Sequence, residues 1–148
     1  MSATDTSEKT DTQVLEFELG SETYCVDIRS VAEIVDTDEL TRVPNAPRHV
    51  EGVMDLRGRT TSIIDPKTVF EIDSHGDEKR IIVFDPEAID TQGAIGWVVD
   101  EVYQVTTIDP NAVDESPLEN EAICGIVKHE DTFVIWVSPE TVAPDTAH

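Results

Sequence analysis

The chain repeats itself. Gly52 and Gly125, Pro66 and Pro139, Thr68 and Thr141, and Val69 and Val142 each stand 73 residues apart, with no gap needed. The same interval pairs Gly20 with Gly93, Tyr24 with Trp97, Val26 with Val99, Asp27 with Asp100 and Pro44 with Pro117. Apolar positions between these markers match as well, which predicts two copies of one small β-rich unit. A solenoid generally needs three or more repeats, so two copies favour a closed arrangement. A unit of about 70 residues buries too little surface to be stable alone, and the copies are expected to share an interface.

The unit is clearest over 51–69, EGVMDLRGRTTSIIDPKTV. A strand over 52–56, a tight turn at Arg57 and Gly58 and a returning strand over 59–64 lead into a helix start at Asp65 and Pro66. The Asp65 carboxylate can accept an orphan amide, and proline at the first helical position gives up a donor that had no partner. The second copy of this stretch runs over 124–142.

Earlier in the chain, Leu15, Phe17 and Leu19 alternate with Glu16 and Glu18, the pattern of a half-buried strand. Gly20, Ser21 and Glu22 supply a turn, and Tyr24, Val26 and Ile28 continue the apolar face. Ile28, Val31, Ala32 and Val35 then fall at helical spacing, with Asp27 placed to cap, so a short helix is expected there. The polar stretch 71–79 reads as the connector between copies. An apolar strand over 80–84, a longer loop over 86–92, a strand over 94–99 and an extended continuation through Val102, Val105 and Ile108 follow. The acidic, proline-bearing stretch 109–121 reads as an exposed loop. A hairpin over 123–127 and 133–137 and a short helix from Pro139 complete the copy. Residues 1–12 and 143–148 read as a disordered lead-in and a frayed end.

The charge narrows the partners. With 32 acidic and 10 basic residues the net charge is −22. Such a field repels nucleic-acid phosphates and anionic lipids, which argues against nucleic-acid and membrane-surface roles. The acids are scattered rather than gathered in a tail. At molar salt the screening length falls to about 3 Å and their mutual repulsion largely vanishes. The composition therefore points to a salt-rich cytoplasm. No apolar run approaches the roughly 20 residues that span a bilayer, and the polar N-terminus has no apolar signal-peptide core. Cys25 and Cys124, each within an apolar strand pattern, read as two buried thiols in a reducing compartment.

Catalytic or metal-binding motifs are not apparent. His49, His75, His129 and His148 lack ligand spacing and read as surface residues. The acidic turn at Asp36, Asp38 and Glu39 is no calcium loop, because the positions that need glycine and glutamate hold Thr41 and Pro47. Neither a phosphate-binding glycine loop nor a nucleophile motif is present. The chain reads as a binding module that needs no cofactor.

The segments YCVDIRSVAEIV, TRVPNAPRHVEGVMDLRGRTTSIIDPKTVF and GAIGWVVDEV resemble the CheW family of chemotaxis coupling proteins, most specifically over 47–65. The resemblance runs over most of the chain, as a CheW-like domain at 13–142 with subdomains at about 13–70 and 80–142. It implies an all-β fold of two intertwined, five-stranded, SH3-like barrels with short helices. It also implies a non-catalytic adaptor between the regulatory domain of the CheA histidine kinase and the cytoplasmic tip of chemoreceptors, lying in the cytoplasm at membrane receptor arrays without inserting into the bilayer.

By position, the resemblance makes Val31, Glu33, Gly52 and Arg57 partner-binding residues for kinase or receptor. It places Val99, Val102 and Val105 in an apolar groove for the receptor's helical tip. Plainer readings stand beside these: Val31 and Val99 as core, Glu33 and Arg57 as a surface ion pair, Gly52 as a point of close backbone approach. Asp55, Ser62 and Pro66 depart from the family's usual Asn, Pro and Leu. Other functions compatible with the sequence are a free-standing paralogue of the kinase regulatory domain and a β-barrel that binds a small molecule between its subdomains.

Overall fold

The computed structural model describes residues 12–37, 40–72, 80–89, 93–109, 113–114, 123–129 and 132–139. Among these residues eleven strands dominate: β1 (Thr12–Leu19), β2 (Glu22–Asp27), β3 (Val31–Asp36), β4 (Val50–Leu56), β5 (Arg59–Ile64), β6 (Arg80–Phe84), β7 (Ala94–Val99), β8 (Glu101–Ile108), β9 (Val113–Asp114), β10 (Ile123–His129) and β11 (Thr132–Val137). A 3-10 turn spans Ile28–Ser30, and single helical turns form at α1 (Pro66–Val69) and α2 (Pro86–Ile89). As the capping argument requires, the Asp65 side chain accepts from the Lys67 amide at the start of α1, with Pro66 in the first turn.

The strands form a six-stranded sheet, β8-β1-β2-β11-β10-β9, and a five-stranded sheet, β3-β6-β7-β5-β4. The first five positions of the larger sheet repeat the smaller one. In both hairpins a bulge falls at the glycine: Val50 pairs with Ile64 and Gly52 with Ile63, while Ile123 pairs with Val137 and Gly125 with Trp136. The bridge between Thr41 and Val53 recurs as the pairing of Asp114 with Ile126. The copies at about 13–70 and 80–142 are units of sequence. The barrels are cut differently: β3 to β7 make one, and β1 and β2 join β8 to β11 in the other. The chain crosses between them after Asp27 and at Asp100.

At the centre of the smaller sheet β7 is covered on both faces, which is why Ala94–Val99 is apolar and buried at every position. Val14, Cys25, Ile108, Val127 and Val134 fill the larger barrel. Met54, Ile63, Ile81, Val83 and Val98 fill the smaller one. A third cluster lies between the sheets. There the repeat-related Tyr24 and Trp97 meet Phe17, Phe70 and Phe84, with Trp97 edge-on to Phe84 at 5.1 Å and to Phe17 at 6.1 Å. A fully buried aromatic of this size contributes roughly 4–6 kcal/mol of transfer free energy, an upper estimate. The shared core therefore ties the two barrels together through aromatic burial.

Several sequence expectations are corrected. The helix expected from Ile28 is a 3-10 turn followed by strand β3, so Val31 and Glu33 lie on a strand. The 109–121 stretch contains β9, which pairs with β10. Thr12 opens β1, opposite Ile108, rather than closing the lead-in. His49 is buried, its carbonyl accepting from the Asp65 amide at 2.7 Å. Cys25 is buried but Cys124, at the hairpin bulge, is exposed. The readings for 1–11, 73–79 and 143–148, for the helix after Pro139, and for His75 and His148 lie outside the described residues.

Candidate protein-interaction surfaces

The smaller barrel ends in two edges, β3 and β4, and a side-chain contact joins them. Glu33 on β3 accepts from Arg57 in the β4–β5 turn at 3.2 Å, so the sheet has curled until its ends meet. Arg57 and Gly58 have φ of 56° and 79°. Positive values at both centres make the primed turn that matches the twist of a two-residue hairpin. The turn sends the Arg57 side chain into solvent, and an exposed pair of this kind is worth at most about 1 kcal/mol.

Val31 is half-buried against the shared core, opposite Phe84. A bulge between Val31 and Glu33 shifts the register, so that Ile34 lies opposite Ile82 and faces the same side as Val31. Ile34 is 39% exposed. It was missed from the sequence because its partner strand lies almost fifty positions away.

At one edge of the larger sheet lies β8. Val99 is not on the surface at all: it is 0% exposed, in the shared core. Val102 packs against that core from the edge, and Val105 is 49% exposed. Residues three apart would point to opposite faces of a regular strand. A bulge in the β1–β8 ladder instead sets Val105 opposite Leu15 and Val102 opposite Phe17, on one side. Beside them Tyr103 is exposed, its phenol pushed up by desolvation and by Glu18, with which it hydrogen-bonds.

These two edges are equivalent. Phe17 lies opposite Tyr24 as Ile82 lies opposite Trp97, so Val102, which faces Phe17, holds the place of Ile34, which faces Ile82. Each presents a half-buried inner residue and an exposed outer one on the side of the shared core. The predicted site residues thus fall into two groups, with Val99 beneath the second.

Gly52 has a local reason to be glycine. A β-carbon there would overlap the Thr41 carbonyl oxygen and lie 2.9 Å from its carbon. At Gly125 it would lie 2.5 Å from a Val113 methyl and 3.1 Å from the Asp114 carbonyl oxygen. Both glycines let a further segment pair against the bulged strand. Beside Gly52, Leu40, Thr41, Val53, Met54, Asp55 and Thr60 line an open depression of about 570 Å³. Of the departures from the family pattern, Asp55 therefore faces a surface hollow, Ser62 pairs into the sheet beside Ile95, and Pro66 starts α1.

One tie is absent from the sequence reading. Lys67 of α1 donates to Asp100 at 2.7 Å, with side chains 4% and 9% exposed. Asp100 also accepts from the Gly20 amide at 2.6 Å.

Among the described residues no group of three or more His, Cys, Asp or Glu is placed to hold a metal ion. Among the described residues no helix is long and apolar enough to cross a membrane. Burial drives the Cys25 thiol well above its ordinary range, so it stays protonated and inert.

Comparison with known proteins matches residues 13–147 to the CheW-like domain. A chemotaxis protein CheW from Klebsiella aerogenes is 33% identical over 135 residues, covering 86% of this chain and 79% of its own. One from Bacillus subtilis is 29% identical over 111 residues, covering 74% and 69%. The scaffolding protein TtCheW from Thermoanaerobacter tengcongensis superposes with a TM-score of 0.75 at 31% identity, covering 85% of this chain and 88% of that one.

Proposed function

The chain belongs to the CheW family, and on that footing we propose that it is a non-catalytic adaptor coupling chemoreceptors to the CheA histidine kinase in a signalling array. The observation that carries this reading is the pair of equivalent edges, β3 and β8, on two barrels joined through one core. An adaptor needs two docking surfaces on a body stiff enough to hold them apart.

On this reading Val31, Glu33 and Arg57 form one docking surface, which we assign to the kinase regulatory domain. Gly52 supports it by keeping Thr41 against β4. Val102 and Val105 offer the apolar groove for a receptor's helical tip, and Val99 holds the groove from below. With a net charge of −22, the protein suits a salt-rich cytoplasm, where ionic contacts weaken and apolar burial, at about 25 cal/mol per Å², sustains binding. A small molecule between the barrels has less support, because Phe17, Phe84 and Trp97 occupy that space.

Pull-down at molar salt with a receptor-tip fragment and the kinase regulatory domain tests the reading. Val105→Asp, at an exposed position, is expected to weaken receptor capture about tenfold or more while leaving the fold intact. Arg57→Ala is expected to reduce kinase capture. Wild-type behaviour of both variants would refute the site assignment. Capture of neither partner by the unaltered protein would refute the adaptor role.

A further inference from the structure

The step into β8 is a single residue, Asp100, and it is tied from three sides. Its carboxylate accepts from Lys67 Nζ at 2.7 Å and from the Gly20 amide at 2.6 Å, and its own amide donates to the Glu18 carbonyl at 3.0 Å. These bonds join α1, which follows β5 of the smaller barrel, to the β1–β2 turn of the larger one. At the earlier crossing, Asp27 is held differently. Its carboxylate takes the Arg29 amide and guanidinium, and the Arg29 side chain is 82% exposed.

We propose that Lys67 acts through Asp100 as a positioning residue for the β8 surface. The buried pair sets the direction in which β8 leaves the smaller barrel, and so keeps Val102 and Val105 on the side of the shared core. Salt supplies the reason for burying it. Exposed pairs such as Arg29–Asp27 and Arg57–Glu33 are screened at molar ionic strength, whereas a pair removed from solvent is screened much less. Hydrogen bonding to Gly20 completes the carboxylate's shell, the condition under which a buried pair holds its geometry.

The test has two arms, and only the second rests on the adaptor reading. In the first, amide hydrogen exchange is followed at molar salt without partners. Lys67→Met is expected to speed exchange over 101–106 by about tenfold or more while leaving 31–36 unchanged. Lys67→Arg should restore most of the protection. Should Lys67→Met not fold, Lys67→Met with Asp100→Asn takes its place; it leaves no unpaired charge and keeps an acceptor for the Gly20 amide. Equal acceleration at both edges, or no change at β8, would overturn the proposal.

In the second arm, Lys67→Met should weaken receptor-tip binding about fivefold while kinase binding stays within about twofold. Parallel loss of both would mark a merely structural pair and overturn the proposal. If the unaltered protein binds neither partner, the adaptor reading fails and the exchange result alone decides.

Discussion

Asp27 and Asp100 occupy the same place in the two copies, at the points where the chain passes from one barrel to the other. One is tied at the surface to its near neighbour Arg29, the other in the interior to Lys67. The two hairpins, by contrast, agree down to the bulge at Gly52 and Gly125. The difference shows what duplication must keep. A glycine under an approaching strand is required by backbone geometry in both copies, whereas a carboxylate at a crossing needs only some donor, and the copies found different ones.

The largest expected effect breaks the comparison at the crossings. Lys67→Met strands a buried carboxylate and should cost about 3–5 kcal/mol, whereas Arg29→Met removes only a solvent-exposed, screened partner and should cost far less. Denaturant unfolding at molar salt measures both, and equal costs would erase the distinction.

The next effect probes the likeness of the hairpins. Gly52→Ala drives a methyl into the Thr41 backbone and should cost about 1–3 kcal/mol or more. Gly125→Ala first meets the Val113 side chain, which can turn aside, so it should cost less. The reverse order would mean that the 113–114 segment is held more firmly than the one at Thr41.

The smallest effect is ionic. Burial raises the Asp27 pKa, but hydrogen bonds and charge from Arg29 outweigh it and hold the carboxyl below its ordinary range. A carboxyl so lowered adds stability above its unfolded pKa, and loses it as the pH falls through the folded value. Asp65 is raised, by burial first and then by Glu51, against the bonds it accepts from Lys67 and Thr68. Its sign is opposite: any stability it adds is full below the unfolded pKa and is lost as the pH rises through the folded value. Carbon-13 titration should find Asp65 above Asp27, and Arg29→Met should lift Asp27 alone. A reversed order would contradict the two environments.

Much of the fold was legible because its cues are local. The repeat, the Arg57–Gly58 turn and the Asp65 cap all need only neighbouring residues to act. The helix read from Ile28, Val31 and Val35 failed for a physical reason. A bulge resets strand alternation, so Val31 and Ile34 share a face at a spacing that imitates one turn of helix, as Val102 and Val105 do. Their β-branched character was the better guide. The candidate surfaces were half legible: the resemblance named Val31, Glu33, Arg57, Val102 and Val105, which the fold sets at two edges, but not Ile34 beside them. Lys67 could not be read as buried, since its partner stands 33 residues away on another element. Nor could His49, whose burial depends on where the chain before β4 packs.

The order of strands in the barrels also sets an order of events at the ribosome. Strands β3 to β7 are consecutive, so the smaller barrel can close once residue 99 has emerged. Strands β1 and β2, made first, must wait for β8 and β11, made last, with their apolar face unsheltered in the meantime. A nascent chain stalled just past Val99 would therefore hold one finished barrel and one orphaned hairpin.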